Sequence, residues 1–451
     1  MKQGVIDFIT LGCSKNLVDA ERVMRQLEAA GWKCVHDPAE PKGEVCVINT
    51  CGFIGDAKEE SINMILQMAE RKKKGKLRLL IVMGCLSERY RAELEAELPE
   101  VDYYFGKFDF LKLTEKLRVE SLELREVGSC KSFERHLTTP KHYAYVKISE
   151  GCNRMCSYCA IPLITGRHTS RPMDEILQEV KWLVSQGVKE LNVIAQDLSS
   201  YGLDICKGER KHLLPELIDR MAQIEGVEWI RLHYAYPTDF PEEVLDVMAR
   251  HANVCKYLDI ALQHCTDHML GLMRRHITRA EQDALIKKIR ERVPGICIRT
   301  TLLVGHPGET EEDFEALKSW VREMRFERMG CFAYSDEEGT YANQHYKDDV
   351  PQNVKEHRAS ELMAIQQEIS AELMGQLVGK KERVIIDRED GDYWIGRTQY
   401  DSPEVDCEVL IEKSRVESLE LREVEELKVG EFYDVEIIKA EEFDLYGKII
   451  H

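Results

Sequence analysis

Apolar positions in the first hundred residues follow two alternating rhythms. Unbroken strand-sized runs at 5–11, 44–50 and 77–83 are each followed by a stretch at helical spacing, at 16–30, 56–73 and 88–98. Strict strand–helix alternation predicts a doubly wound parallel sheet. From residue 142 the alternation resumes, with strand-like runs at 143–148, 190–195, 229–234, 257–262, 296–304 and 328–334, each but the last followed by a helical stretch. Six β/α units predict a partial barrel of the (β/α)6 TIM type. A long amphipathic stretch at 351–379 then gives way to short alternating runs at 382–387, 393–399, 431–438 and 444–450, separated by Gly, Asp and Pro as in a small antiparallel β-barrel. The chain is therefore expected to be α/β, with domains at 1–118, 142–350 and 380–451, a linker at 119–141 and a connecting helix at 351–379.

The decapeptide RVESLELREV occurs at 118–127 and again, unchanged, at 415–424. That period is too long for a solenoid, and neither copy carries a functional reading.

At 451 residues the chain exceeds one ordinary core, which agrees with several domains. No apolar run is long enough to span a bilayer and nothing resembles a signal peptide, so a cytoplasmic protein without a membrane partner is expected. Fifteen cysteines then point to thiolate ligands and buried thiols rather than to disulfides. The formal charge of −19 opposes nucleic-acid binding, because affinity for phosphate comes from Lys and Arg, and it favours a basic partner. Residues 381–451 hold 10 Lys and Arg against 21 Asp and Glu, although a merely solvated acidic surface is the plainer alternative.

Two groups of cysteines carry candidate chemistry. Cys152, Cys156 and Cys159 form a CxxxCxxC array in EGCNRMCSYCA, 150–160. Three thiolates at that pitch hold one side of a metal centre and leave a coordination position free. A structural zinc site wants four ligands, so a 4Fe-4S cluster with one open iron is the more natural occupant. A zinc knuckle completed by a remote ligand and ordinary buried thiols are the alternatives. Cys13, Cys51 and Cys85 each directly follow a predicted strand, beside a glycine. The carboxyl ends of strands in an open α/β sheet face one crevice, so these three are expected to converge on a second three-thiolate cluster site. Independent buried thiols are the alternative there, and Cys34 and Cys46 lack the placement. Gln196 and Asp197, residues 233–237, Gln263 and His264, and residues 305–309 follow the later barrel strands and should open onto the same mouth. Helix capping or satisfied loop backbone competes with function at each. No P-loop, nucleophile elbow or zinc-protease helix is present.

The CxxxCxxC array, with Tyr158 before the last cysteine, resembles the radical S-adenosylmethionine motif, and the three predicted domains together resemble the methylthiotransferases over essentially the whole chain. LGCSKNLVD at 11–19 is similar to the branch that modifies a ribosomal protein, whereas the tRNA branch typically has Gln-Met-Asn after the cysteine. YLDIALQH at 257–264 and GRTQYDSPEVD at 396–406 point the same way. Ala261 departs from the family's usual Pro, and Cys265 stands where an aliphatic residue is common. The resemblance implies two 4Fe-4S clusters, on Cys152, Cys156 and Cys159 and on Cys13, Cys51 and Cys85, with no catalytic side chain beyond these ligands. S-adenosylmethionine would be both radical source and methyl donor, and the second cluster would supply sulfur. Tyr158 would lie near the adenine, with Arg171, Gln196, Gly305 and Glu309 as further cofactor contacts. The implied product is a β-methylthiolated aspartate on the twelfth small-subunit ribosomal protein, formed with electrons from a reductant such as flavodoxin or ferredoxin, and the last domain would be TRAM-like. The rivals are a tRNA adenosine methylthiotransferase, a lipoyl- or biotin-type sulfur-inserting enzyme and a non-enzymatic zinc module.

Overall fold

A computed structural model of the chain describes residues 4–120, 130–206, 211–413 and 427–450. Apart from residues 118–120, both copies of the decapeptide lie outside them.

The N-terminal unit runs β1 (Val5–Thr10), α1 (Ser14–Ala29), β2 (Lys33–His36), β3 (Val45–Thr50), α2 (Gly55–Lys73), β4 (Leu79–Gly84), α3 (Cys85–Glu97), β5 (Tyr103–Tyr104) and α4 (Phe110–Glu120). Its strands are all parallel, in the order β2-β1-β3-β4-β5. Side chains alternate across the sheet, so Ile6, Phe8, Val45 and Val47 pack on α1 and α4, while Ile48, Leu80 and Val82 pack on α2 and α3. The sequence pattern showed three of these five strands. Lys33–His36 and Tyr103–Tyr104 are too short and too polar to register as apolar runs.

The central unit follows with β6 (Tyr143–Lys147), the short pair β7 (Ser149–Glu150) and β8 (Thr169–Ser170) flanking α5 (Ile161–Thr165), then α6 (Met173–Ser185), β9 (Glu190–Ile194), α7 (Leu214–Ala222), β10 (Trp229–Ala235), α8 (Glu243–Arg250) and β11 (Val254–Ile260). It continues through α9 (Asp267–Leu272), α10 (Arg279–Arg292), β12 (Cys297–Val304), α11 (Glu311–Met324), β13 (Arg328–Ala333) and α12 (Tyr341–His345) to the long α13 (Gln352–Gly375). The six main strands are parallel in the order β6-β9-β10-β11-β12-β13, the open curved sheet expected from the repeat. The largest apolar core lies between this sheet and its outer helices.

The last unit is a closed five-stranded barrel of β14 (Lys381–Asp390), β15 (Tyr393–Arg397), β16 (Glu408–Glu412), β17 (Phe432–Ala440) and β18 (Asp444–Ile449). The sequence pattern gave four of them in an antiparallel barrel; the fifth, β16, pairs parallel with β18 to close it. The barrel seats on the amino ends of the central strands. There Arg397 pairs with Glu190 at 2.7 Å, Arg328 with Asp401 at 2.5 Å, and the Tyr257 hydroxyl donates to Asp406 at 2.8 Å. The carboxyl ends are left to the N-terminal unit. Among the described residues no helix is long and apolar enough to cross a membrane.

Candidate metal centres at the mouth of the barrel

The N-terminal cysteines sit where their strands stop: Cys13 three residues past β1, Cys51 directly after β3, and Cys85 opening α3 directly after β4. Two glycines bring these turns together. A Cβ on Gly12 would lie 2.8 Å from Cys51 Cβ and 3.0 Å from its Sγ, and one on Gly52 would lie 2.7 Å from Leu86 N, beside Cys85. Only glycine permits both approaches. The thiols also feel one another. Burial, reinforced by Cys13 and Cys51 and opposed by Lys107, pushes Cys85 up to about 12, and burial raises Cys51, with Cys13 adding to the effect. Cys13 is exposed, so the triad has one open side. Cys34 and Cys46 are buried in the two sheet cores, away from this edge, and burial raises both.

Asn16 holds the floor of the triad. Its Nδ2 donates to Leu11 O and Thr50 O, both at 3.0 Å, which leaves Oδ1 3.5 Å from Cys85 Sγ. Lys107 approaches the same sulfur from the turn after β5, with Nζ 4.0 Å from Cys85 Sγ.

The CxxxCxxC loop leaves the carboxyl end of β6 through β7 and turns back at α5. Met155 sits at φ 54° and is half exposed, a conformation L side chains rarely take outside tight turns. Burial pushes Cys152 up to about 12 and raises Cys159 further, although the backbone N–H of Arg154 and of Ile161 oppose this. Cys156 faces a buried cation: Arg275 Nη1 lies 3.4 Å from its Sγ, and the Tyr236 hydroxyl 3.5 Å away. Arg275 and Arg154 cover the Tyr236 ring, at 4.0 and 4.3 Å, and Arg154 pairs with Asp197 at 2.7 Å. The buried Arg275 guanidinium beside Cys156 matches an anionic occupant, because such a cation needs a counter-charge that neutral thiols do not supply. Three thiolates, buried Arg275 and half-buried Arg154 fit an iron–sulfur cluster.

The other expected contacts divide. Tyr158 is next to the array, its hydroxyl 3.3 Å from Arg275 Nη1. The 305–309 turn reaches the loop through His306, which accepts from the Ser157 hydroxyl at Nε2, 2.9 Å away, and whose Nδ1 lies 3.0 Å from Pro307 O. Burial lowers His306 to about 4, so it is neutral there. Glu309 is committed within the turn and to Arg358, accepting from Gly305 N at 2.8 Å and Arg358 Nη1 at 2.5 Å. Gln196 donates to Glu150. Arg171 is placed differently from the expected cofactor contact: its guanidinium bonds Glu179 and Lys147 O, both at 2.6 Å, in a buried interface. The sequence reading placed Tyr236 at the mouth only as part of 233–237, and it missed Arg275, Arg154, Lys107 and Glu150. A buried lysine in Gly-Lys-Phe looks like any solvated turn, and Arg274-Arg275 looks like a helix end.

Apolar packing and buried charges seat the N-terminal unit over this mouth. Leu17 and Val18 of α1 pack against Tyr143, Tyr145, Ile194 and Tyr234, and Lys15 Nζ stands 3.2 Å from the Tyr234 ring centroid. Glu337, almost fully buried, binds Lys58 at 2.7 Å and Arg89 at 3.1 Å. Asp19 and Glu150 bind Lys107 and Lys147 in a four-charge cluster between the two cysteine groups: Glu150 lies 2.7 Å from Lys147 and 3.3 Å from Lys107.

Three family models match in order along the chain. They are the uncharacterized protein family UPF0004 over residues 6–106, the radical SAM superfamily over 146–321 and the TRAM domain over 378–450. The ribosomal protein uS12 methylthiotransferase RimO of Bacteroides thetaiotaomicron is 61% identical over 451 residues, covering 100% of this chain and 99% of that protein. The protein of the same name in Phocaeicola vulgatus is 60% identical over 450 residues and all of both chains, and that of Flavobacterium johnsoniae 51% identical over 99% and 98%. Among solved structures, the radical S-adenosylmethionine methyltransferase TsrM from Kitasatospora setae aligns with a TM-score of 0.52 at 15% identity, covering 72% of each chain. The cobalamin-dependent S-adenosylmethionine radical enzyme OxsB gives 0.52 at 11% identity, over 81% of this chain and 56% of that one. These two likenesses show a shared fold.

Proposed function

This chain belongs to the ribosomal protein uS12 methylthiotransferases, radical SAM enzymes with a C-terminal TRAM domain, and on that footing we propose that it adds a methylthio group to the β-carbon of an aspartate of uS12. The observation that carries the reading is the pair of cysteine groups at one mouth, joined by the charge cluster of Asp19, Lys107, Lys147 and Glu150. Cys152, Cys156 and Cys159 hold one 4Fe-4S cluster and Cys13, Cys51 and Cys85 a second. With its groups bound, the first centre supplies one-electron cleavage of S-adenosylmethionine, the second supplies sulfur, and another S-adenosylmethionine supplies the methyl group.

The chain's own residues bind, orient and shield. Six cysteines lose their protons on loading, and Arg275 and Arg154 offset the charge that results on the barrel side. Neutral His306 fixes Ser157, and with it the backbone between Cys156 and Cys159. Tyr158 borders the space for the adenine, with Gln196, Gly305 and Glu309 holding the turns around it, while Arg171 braces the interface through Glu179 and Lys147 O. Phe53, Phe108 and Met155, each exposed and within three residues of a ligand cysteine or Lys107, give an apolar rim on which a docked loop excludes water. The acidic C-terminal barrel seats on the opposite strand ends, so it draws in the basic body of uS12 while the target loop enters at the mouth. Nucleic acid is disfavoured by the same charge. Electrons come from a small cytoplasmic reductant of flavodoxin or ferredoxin type.

The test is a division of labour. Cys156→Ala should abolish S-adenosylmethionine cleavage, whereas Cys51→Ala should retain cleavage and lose methylthio transfer. Equal loss of cleavage in both would reject the two-centre reading.

A further inference from the structure

Lys107 is a buried charge that the assigned reaction does not use. It is 3% exposed, and its position is built from three sides. Its backbone N–H donates to Glu88 Oε2 at 2.8 Å, fixing the turn to the helix that Cys85 opens, and Asp109 closes the turn on Gly106 N at 3.0 Å. The side chain then runs inward to place Nζ 4.0 Å from Cys85 Sγ, 3.5 Å from Asp19 Oδ2 and 3.3 Å from Glu150 Oε1. Among the described residues Asp19 Oδ2 accepts no hydrogen bond, and the Lys107 ammonium is its ion-pair partner. Glu150 lies two residues before Cys152, so Lys107 touches a ligand of one centre and the strand that leads into the other. Packing alone does not explain an ammonium here: the buried carboxylates of Asp19 and Glu150 require its charge and hold it, positive, beside Cys85.

We propose that Lys107 is a positioning residue for the sulfur-donating step: its fixed positive charge stabilises the more negative, reduced state of the centre on Cys13, Cys51 and Cys85, and Glu150 sets how much of that charge the centre feels. The inference rests on the second-cluster reading above. A positive charge beside a cluster sulfur raises its reduction potential, and a carboxylate that competes for the same ammonium moderates the effect. Two substitutions therefore shift the potential in opposite directions. Lys107→Met lowers it, and Glu150→Gln, which keeps the shape but frees the ammonium toward Cys85, raises it.

The experiment uses the full chain carrying Cys152→Ala, Cys156→Ala and Cys159→Ala, so that only the N-terminal centre remains. It is loaded anaerobically with iron and sulfide and titrated with dithionite while the reduced-cluster EPR signal is followed. The expected result is a midpoint below the parent's for Lys107→Met and above it for Glu150→Gln. In the otherwise native chain, Lys107→Met should retain S-adenosylmethionine cleavage and lose at least tenfold in methylthio transfer. Coincident midpoints in a loaded Lys107→Met protein would overturn the inference. If that variant fails to load, Glu150→Gln decides: a raised midpoint supports the role and an unchanged one overturns it. A parent that binds no iron at all would instead remove the second-cluster reading.

Discussion

Glu179 should hold the N-terminal unit onto the barrel, and its removal can be costed from the structure. The carboxylate, on α6 and fully buried, meets Arg171 Nη2 at 2.6 Å, Arg22 Nη2 of α1 at 3.2 Å and Arg135 Nε at 3.3 Å. Arg135 is equally buried and finds a second partner in Glu21, 3.3 Å away. Glu179→Gln therefore leaves three guanidinium groups facing one remaining carboxylate. At an effective dielectric of about 20, one pair at ~4 Å is worth about 4 kcal/mol before desolvation, and breaking a buried pair costs about 3–5 kcal/mol net. The carboxyl's perturbed acidity in this setting gives a similar figure. Burial raises the Glu179 carboxyl, but Arg135, Arg171 and Arg22 together outweigh it and hold the group at about 2, against 4.5 when unperturbed. That difference is on the order of 3 kcal/mol. Because the folded value is the lower one, this stability is present above about pH 4.5 and is lost as the pH falls toward 2. Denaturant unfolding of the metal-free protein should show Glu179→Gln destabilised by about 3 kcal/mol at pH 7, with the gap to the parent narrowing at acid pH. In a double-mutant cycle with Arg171→Met the two losses should not add. A loss below about 1 kcal/mol with no narrowing at acid pH would mean that the network behaves like a surface ion pair, and would refute the reasoning.

Other consequences follow from single contacts. Gly52→Ala sets a methyl group against the Leu86 backbone, so the Cys51 and Cys85 turns must part; iron and sulfide bound at the N-terminal triad should fall while the CxxxCxxC centre still loads. Thr310 caps α11, accepting from Asp313 N at 3.1 Å while Asp313 returns to the Thr310 backbone, so Thr310→Ala should cost about 1 kcal/mol in denaturant unfolding without changing cluster content. Binding of uS12 should weaken steeply between low and physiological salt, and charge-neutralising substitutions on the C-terminal barrel should flatten that dependence, as measured by titration at several ionic strengths.

The cysteines were legible in the sequence because their geometry is local. A thiol directly after a strand and beside a glycine lies on the carboxyl edge of the sheet whatever else the chain does. Three parallel strands and six barrel strands were visible for the same reason, their apolar runs being long and unbroken. Glu408–Glu412, a strand with a charge at each end, was not visible. Nor were the charges that surround the centres, since Lys107, Glu150, Arg275 and Glu179 acquire their roles only when segments far apart in the chain meet. Arg171 illustrates the limit: the resemblance named it as a cofactor contact, but its partner Glu179 lies on the next helix and turns its guanidinium to the interface.

The most direct test of the central claim is mass spectrometry of uS12 and of digested tRNA after anaerobic incubation with the iron-loaded enzyme, reductant and S-adenosylmethionine. The account predicts a methylthio mass gain on one aspartate of uS12 and none on tRNA. A gain on a tRNA adenosine instead, or unmodified uS12 alongside rapid S-adenosylmethionine cleavage, would contradict it.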